Sequence, residues 1–247
     1  MNFAGTSTLI TGAASGIGLA CARHLAEGGA GRLVLVDRDA EALEQVRFNC
    51  EVVRIAGDVG DSELWASAAL GDLDHAVVNA GVPGVGPITD MPFAEWRQVM
   101  SVNLDGVFLT LQAAMRALRA GGSAVLVASA AGIKPLPGLC AYGTSKAAVI
   151  HLAKIAALEG APRRIRVNAI APGGVETPIW YGTDWFRGLE AKLGREGAFA
   201  KIAEGGTPLG RFARPEEMAA QIAVLLSNEV SGYTTGAVLV SDGGHVL

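Results

Sequence analysis

The 247 residues are half apolar and 18% charged, with a net charge of −4. That balance excludes a disordered chain, and the scattered basic residues give no electrostatic footprint for nucleic acid. Cys21, Cys50 and Cys140 are odd in number and far apart, so they read as thiols of a reducing compartment rather than a disulfide framework or a metal site. The opening residues lack the basic region and cleavage site of a signal peptide. No apolar run approaches the roughly 20 residues that span a bilayer. A cytoplasmic protein with neither a membrane nor a nucleic-acid partner is expected.

In chain order, apolar strands are predicted at 8–11, 33–36, 52–56, 75–78, 124–129, 165–170 and 237–240. Helices are predicted at 17–27, 40–48, 62–70, 93–119 and 215–226, and another carries Tyr142 and runs to about residue 159. Strands that are apolar throughout, alternating with helices, predict an α/β fold: a doubly wound parallel sheet covered on both faces. Crossovers should be right-handed. No linker, repeat or low-complexity segment divides the chain, so one domain is expected over 1–247. The interval 178–208 is too long for a plain connection and is expected to be irregular and functional.

Between the first strand and the first helix stands Thr11-Gly12-Ala13-Ala14-Ser15-Gly16-Ile17-Gly18. Glycines permit a tight turn and let the backbone approach a pyrophosphate, whose charge is favoured at a helix N-terminus. Asp37, nineteen residues beyond Gly18, ends the second strand, where a carboxylate accepts the hydroxyls of an adenosine ribose. A purely structural alternative is that Asp37 caps the following helix. A carboxylate there repels a 2′-phosphate, which predicts NAD; the neighbouring Arg38 is the feature that would instead accommodate the phosphate of NADP.

The stretch SAAGIKPLPGLCAYGTSK (129–146) contains Tyr142 and Lys146. Four residues apart on a helix, they share a face. An ammonium beside a phenol favours the phenolate, so Lys146 is expected to lower the Tyr142 pKa and make it a proton shuttle to an alcohol or ketone oxygen. Ser129 closes an apolar strand, which puts its hydroxyl at the carboxyl end of the sheet, where such folds place ligands. Thr144 and Ser145 read as helix-start residues. The four histidines (24, 75, 151 and 245) have no metal-like spacing, and only His245 is considered for a substrate rim.

These motifs occur in a shared order: the glycine turn; Asp58-Val59; Asn79-Ala80-Gly81; Asn103; Ser129; Tyr142 with Lys146; and Pro172-Gly173-Gly174-Val175 with Thr177. In that order, over essentially the whole chain, the sequence resembles the classical short-chain dehydrogenases/reductases. The resemblance implies a Rossmann-type fold and a catalytic set of Asn103, Ser129, Tyr142 and Lys146. It implies that Gly12, Ser15, Gly16, Ile17 and Gly18 form the cofactor turn. Asp58 and Val59 would hold the adenine, and Asn79, Ala80 and Gly81 would line the cofactor. Pro172, Gly173, Val175 and Thr177 would border the nicotinamide, with Val175 and Thr177 on its carboxamide. Lys146 would hold the nicotinamide ribose and Asn103 a water linking Lys146 to solvent. Asn103 has an alternative, which is to bond backbone inside its helix.

The segment 178–208 carries Trp180, Tyr181, Trp185, Phe186 and Phe199. By resemblance it is a lid over a small-molecule substrate; the alternative is that its aromatic residues pack a helical subdomain. With Ile133, Leu136 and Pro137 opposite, the pocket is expected to take a hydrophobic, cyclic or aryl-bearing secondary alcohol or ketone. The expected activity is an NAD-dependent alcohol dehydrogenase. An NADP-linked ketone reductase and a catalytically idle NAD-binding scaffold are the alternatives. The helices at 93–119 and 141–159 are apolar nearly all round, which predicts pairing with their copies across a twofold axis. By resemblance, a second interface at the 215–226 helix and the last strand would complete a homotetramer, with a homodimer as the smaller alternative.

Overall fold

The computed structural model describes residues 1–181 and 183–247. In chain order its elements are β1 (Ser7–Thr11), α1 (Gly16–Glu27), β2 (Arg32–Asp37), α2 (Ala40–Gln45), β3 (Glu51–Ala56), α3 (Ser62–Ser67) and β4 (Leu73–Val78). Then follow α4 (Phe93–Met100), α5 (Gly106–Ala117), β5 (Leu118–Val127), α6 (Cys140–Gly160), β6 (Arg166–Pro172), α7 (Asp184–Glu204), α8 (Pro215–Leu226), α9 (Asn228–Ser231) and β7 (Val238–Ser241). The seven strands are parallel, in the order β3-β2-β1-β4-β5-β6-β7. This is the doubly wound, Rossmann-type arrangement. The winding reverses between β1 and β4, which leaves a crevice at the carboxyl ends of those strands.

Two apolar layers sandwich the sheet. On one face Leu25 of α1 and Met218 and Ile222 of α8 pack with Ile10 and Leu35; on the other Val107 and Leu111 of α5 and Val149 and Ala153 of α6 pack with Leu9 and Leu126. Both strand faces are buried, which is why the centres of β2 and β5 read as unbroken apolar runs.

The elements depart from the predicted ones at several places, and the helix predicted over 62–70 ends at Ser67. The second helix stops at Gln45, not 48, because Val46 is extended and Arg54 Nε takes the Leu43 carbonyl (3.1 Å). The single helix predicted over 93–119 is α4 and α5 joined through a π-helical turn at Ser101–Asp105, and residues 118–119 begin β5 instead. Ser129 lies two residues past the end of β5, as the cap of a 3₁₀ turn at Ala130–Gly132. The interval 178–208, expected to be irregular, is a 3₁₀ turn (Pro178–Trp180) followed by α7, which is broken at Gly194 (φ 71°, ψ 169°).

At the amino end of the sheet a buried polar network joins the strands to α8. Arg166 donates to the carbonyls of Leu225 (2.8 Å) and Leu226 (2.7 Å), capping α8, and to Asn228 Oδ1. Ser123 Oγ donates to the Leu226 carbonyl and meets His75 Nδ1 at 2.9 Å. Burial pushes the His75 pKa down to about 4; Asp74 opposes the shift and Arg166 adds to it. The three cysteines are free. Among the described residues no helix is long and apolar enough to cross a membrane, and no cluster of ligands could hold a metal.

Because His75 titrates lower in the folded chain than unfolded, the unfolded chain takes up the proton first. Its contribution to stability, about 3 kcal/mol, is present above pH ~6.5 and is lost as the pH falls toward ~4. Thermal melts from pH 8 to pH 4 should show this loss in the wild type and a clearly shallower one in His75→Gln. Equal acid sensitivity in the two would refute the assignment.

Candidate active site

The site starts with a contact between main chains. Gly12 has φ +65°, and a Cβ at Gly18 would lie 2.0 Å from the Gly12 carbonyl oxygen, so α1 can begin this close to β1 only with glycine there. Thr11 Oγ1 accepts the N–H groups of Asn79 (3.0 Å) and Ala80 (3.1 Å), and Asn79 Nδ2 donates to the Thr11 carbonyl (3.0 Å). Thr11 thus ties the ends of β1 and β4 together across the switch point, a role its place in the turn did not reveal. Ser15 caps α1 without a side-chain bond to the helix, and no acidic residue occupies the first turn. The positive end of α1 is left for an anion.

Asp37 has two local bonds. Its Oδ2 accepts the Ala14 N–H (2.9 Å) and its Oδ1 the Asp39 N–H (3.1 Å). The carboxylate therefore braces the glycine turn as well as facing the cleft. Capping of α2 falls to Asp39, which accepts the Ala42 N–H (2.9 Å), so the alternative reading of Asp37 was two residues out. Asp58 Oδ1 accepts the Gly60 N–H (2.8 Å), and Val59 beside it is buried.

A cleft of about 390 Å³ runs along the carboxyl ends of the strands. Gly12, Ser15, Gly16, Ile17, Asp37 and Arg38 border it on the β1–β2 side, with Asp58 and Val59 from beyond β3 and Asn79, Ala80 and Gly81 from beyond β4. Ser129, Tyr142, Lys146, Pro172, Gly173, Val175 and Thr177 border it on the β5–β6 side. Two predicted residues do not line it. Gly18 acts through the side chain it lacks. Asn103 is fully buried in the π turn, its Oδ1 accepting the Val82 N–H (2.8 Å) and its Nδ2 donating to the Val82 carbonyl (2.9 Å). Its amide is thus bonded to backbone, the alternative allowed for it. A Cβ on Gly81 would meet Asn103 Oδ1 at 3.3 Å and Lys146 Nζ at 3.4 Å, so both groups converge on this glycine.

The Ser129 hydroxyl accepts the Ala131 N–H (3.2 Å). Lys146 Nζ donates to the Val127 carbonyl (2.9 Å) and stands 5.7 Å from the Tyr142 ring centroid. Burial raises the Tyr142 pKa above its ordinary value, against the opposing Ser129 hydrogen bond, and burial pushes Lys146 down to about 8. The expected lowering of Tyr142 is not found here: helical spacing sets the two side chains on one face, but the ammonium is drawn to Val127 and desolvation dominates. Ser145 donates to the Tyr142 carbonyl (2.7 Å) within the helix.

Of the aromatic residues singled out in 178–208, Trp180 reaches the cleft, its Nε1 held by the Val175 carbonyl (2.7 Å). Phe186 and Phe199 pack instead into a separate small core with Phe212, and Trp185 is exposed. Ile133, Leu136 and Pro137 do not border the cleft; Ile179, Val82 and Pro83 do. Adjacency to the Asn79-Ala80-Gly81 motif was the signal that could have found Val82 and Pro83. The residues present suit a dinucleotide: a turn with no room for side chains, a free helix N-terminus, a carboxylate on one side and a polar triad on the other.

A family model described as enoyl-(acyl carrier protein) reductase matches residues 12–245. The chain is 36% identical to the cis-4-hydroxycyclohexanecarboxylate dehydrogenase of Sinomonas cyclohexanicum, over 98% of this chain and 97% of that protein. Among solved structures it superposes on levodione reductase with a TM-score of 0.89 at 33% identity, covering 99% of each chain. It also superposes on the L-sorbose reductase of Gluconobacter frateurii, solved with NADPH and L-sorbose, with a TM-score of 0.89 at 29% identity over 99% of this chain and 98% of that one.

Proposed function

The chain belongs to the classical short-chain dehydrogenase/reductase family, oxidoreductases acting on CH–OH groups, and we propose that it is an NAD-dependent enzyme interconverting a secondary alcohol and its ketone. The observation that carries this reading is that Ser129, Tyr142 and Lys146 open onto the same cleft as the glycine turn and Asp37. When bound, the nicotinamide supplies or accepts the hydride. Ser129 donates a hydrogen bond to the substrate oxygen, and Tyr142 gives a proton to the ketone or takes one from the alcohol. Lys146 is charged below about pH 8; its ammonium favours the phenolate once the proton has left and holds the nicotinamide ribose. Asn103 clamps Val82 in both directions and so holds Gly81 against Lys146. A water link from Lys146 to solvent would pass at that glycine.

We assign the interval 178–208 as the lid of a single domain. The cleft wall next to the triad, with Trp180, Ile179, Val82 and Pro83, supports a hydrophobic cyclic or aryl-bearing substrate over a polyol, and two of the relatives are named for cyclohexane substrates. An NADP-linked reductase is the second reading, favoured by Arg38 on the cleft rim and by the NADPH-bound relative. Three free thiols suit a reducing, cytoplasmic setting.

Outward-facing Phe108 of α5 and Ile155 and Leu158 of α6 are 48%, 42% and 78% exposed, which supports pairing of these helices across a twofold axis. Ile150 packs inward instead. A second contact at α8 and β7 would make a tetramer.

Tyr142→Phe should lower kcat by at least about 10² while NAD binding by fluorescence titration is unchanged; an active variant would remove Tyr142 as the acid/base. With wild-type enzyme, kcat/KM should favour NAD over NADP. Asp37→Ser should narrow that gap and weaken both cofactors, because the brace on Ala14 is lost; equal or better wild-type use of NADP would overturn the NAD assignment. Light scattering should report two or four chains, and Leu158→Glu should dissociate the α5–α6 contact. An active monomer would refute the assembly.

A further inference from the structure

The segment that follows β7, residues 242–247, lies between two parts of the substrate mouth. Asp242 is buried, and its carboxylate accepts the N–H groups of Gly244 (2.9 Å) and Val246 (2.8 Å), which curls the segment into a compact turn. On one side this turn meets the end of the lid: His245 Nδ1 is 2.6 Å from the Gly206 carbonyl, and the Leu209 N–H donates to the Gly243 carbonyl (3.1 Å). On the other side it meets the loop after Ser129, where Lys134 Nζ donates to the carbonyl of His245 (2.8 Å) and to the main-chain oxygen of Leu247 (3.4 Å). Among the described residues, no aspartate or glutamate forms an ion pair with Lys134. Its half-buried ammonium is spent on these main-chain oxygens. The turn is anchored at the cleft, since the Gly173 N–H donates to Ser241 (3.0 Å) and Gly173 leaves no room for a Cβ beside Asp242 (2.8 Å).

We propose that Lys134 is a positioning residue that joins the Ser129 loop to the α7 lid through the 242–247 segment, with His245 as its partner on the lid side. Neither side chain borders the cleft. They act on the substrate by holding its two walls, the Ser129 loop and the lid, at a fixed spacing. Loss of the Lys134 contacts leaves the nicotinamide end intact, because Pro172, Val175 and Thr177 are held by other bonds. It frees the lid to open more often, so substrate affinity falls while the chemical step does not.

The proposal rests on the reading of the cleft as an alcohol–ketone site, so one measurement is independent of activity. Chymotrypsin should cut the folded protein at the exposed lid residues Trp185 and Leu193. Lys134→Met keeps the apolar stem and removes the donors; hydrogen bonds to a charged group being the strong ones, cleavage should quicken about tenfold with little change in Tm. Lys134→Arg should restore most of the protection. On a secondary alcohol or ketone that the wild type turns over, Lys134→Met should raise KM about tenfold, with kcat and the KM for NAD within twofold. His245→Ala should act in the same direction, and the double variant should be no worse than the poorer single one, because both act through one segment. Unchanged proteolysis in both variants would overturn the proposal whatever the activity, as would additive effects or a fall in kcat with constant KM. If Lys134→Met does not fold, the same measurements on His245→Ala decide. Faster proteolysis without turnover of any alcohol or ketone by the wild type would keep the tether and refute the proposed reaction.

Discussion

The cleft depends on how closely two main chains approach. Gly18 at the start of α1 faces the Gly12 carbonyl with no space for a single carbon between them. That contact sets α1 directly over the end of β1, and Thr11 and Asn79 then bind the end of β4 to the same point. A methyl group at Gly18 would have to displace backbone, because the nearest atoms are those of the Gly12 carbonyl. The site is therefore built first by backbone and only then furnished with side chains. Asp37 follows the same logic, since the carboxylate that faces the cleft also holds the Ala14 N–H.

The chemical end of the cleft is governed by desolvation. Lys146 is almost completely buried and is bonded to a neutral carbonyl, so its charge is costly and its pKa falls to about 8. Tyr142 is shifted in the opposite sense for the same reason, because burial always opposes the charged form. The two shifts bring an acid and a base of ordinarily similar strength onto opposite sides of the usual order.

The segment 178–208 contributes to a small core of its own. Phe186, Phe199 and Phe212 pack together, with Trp180 and Tyr181 at the edge, and the helix that carries Phe186 and Phe199 breaks at Gly194. Trp180 is the link between this core and the cleft, because its ring packs on Phe212 while its N–H is held by Val175. The aromatic residues thus stiffen the wall more than they line it.

Sequence alone determined the alternation of strands and helices, the order of the motifs and the glycine turn, because each is written in local chemistry: buried parallel strands must be apolar on both faces, and a tight turn needs residues without side chains. It also determined that Ser129, Tyr142 and Lys146 belong together, since helical spacing and the strand's end put them at one edge of the sheet. Tertiary structure decided what distant groups compete for. Nothing local says that Asn103 would give its amide to Val82, that Lys146 would turn to Val127 or that Asp39 would take the cap instead of Asp37. The same holds for the π turn between α4 and α5, for the inward packing of Phe186 and Phe199, and for the meeting of Lys134 with residues 242–247, over a hundred positions away. Each is a choice among several available partners, and a hydrogen-bonding group or an aromatic ring makes that choice only when folding has fixed which partners are within reach.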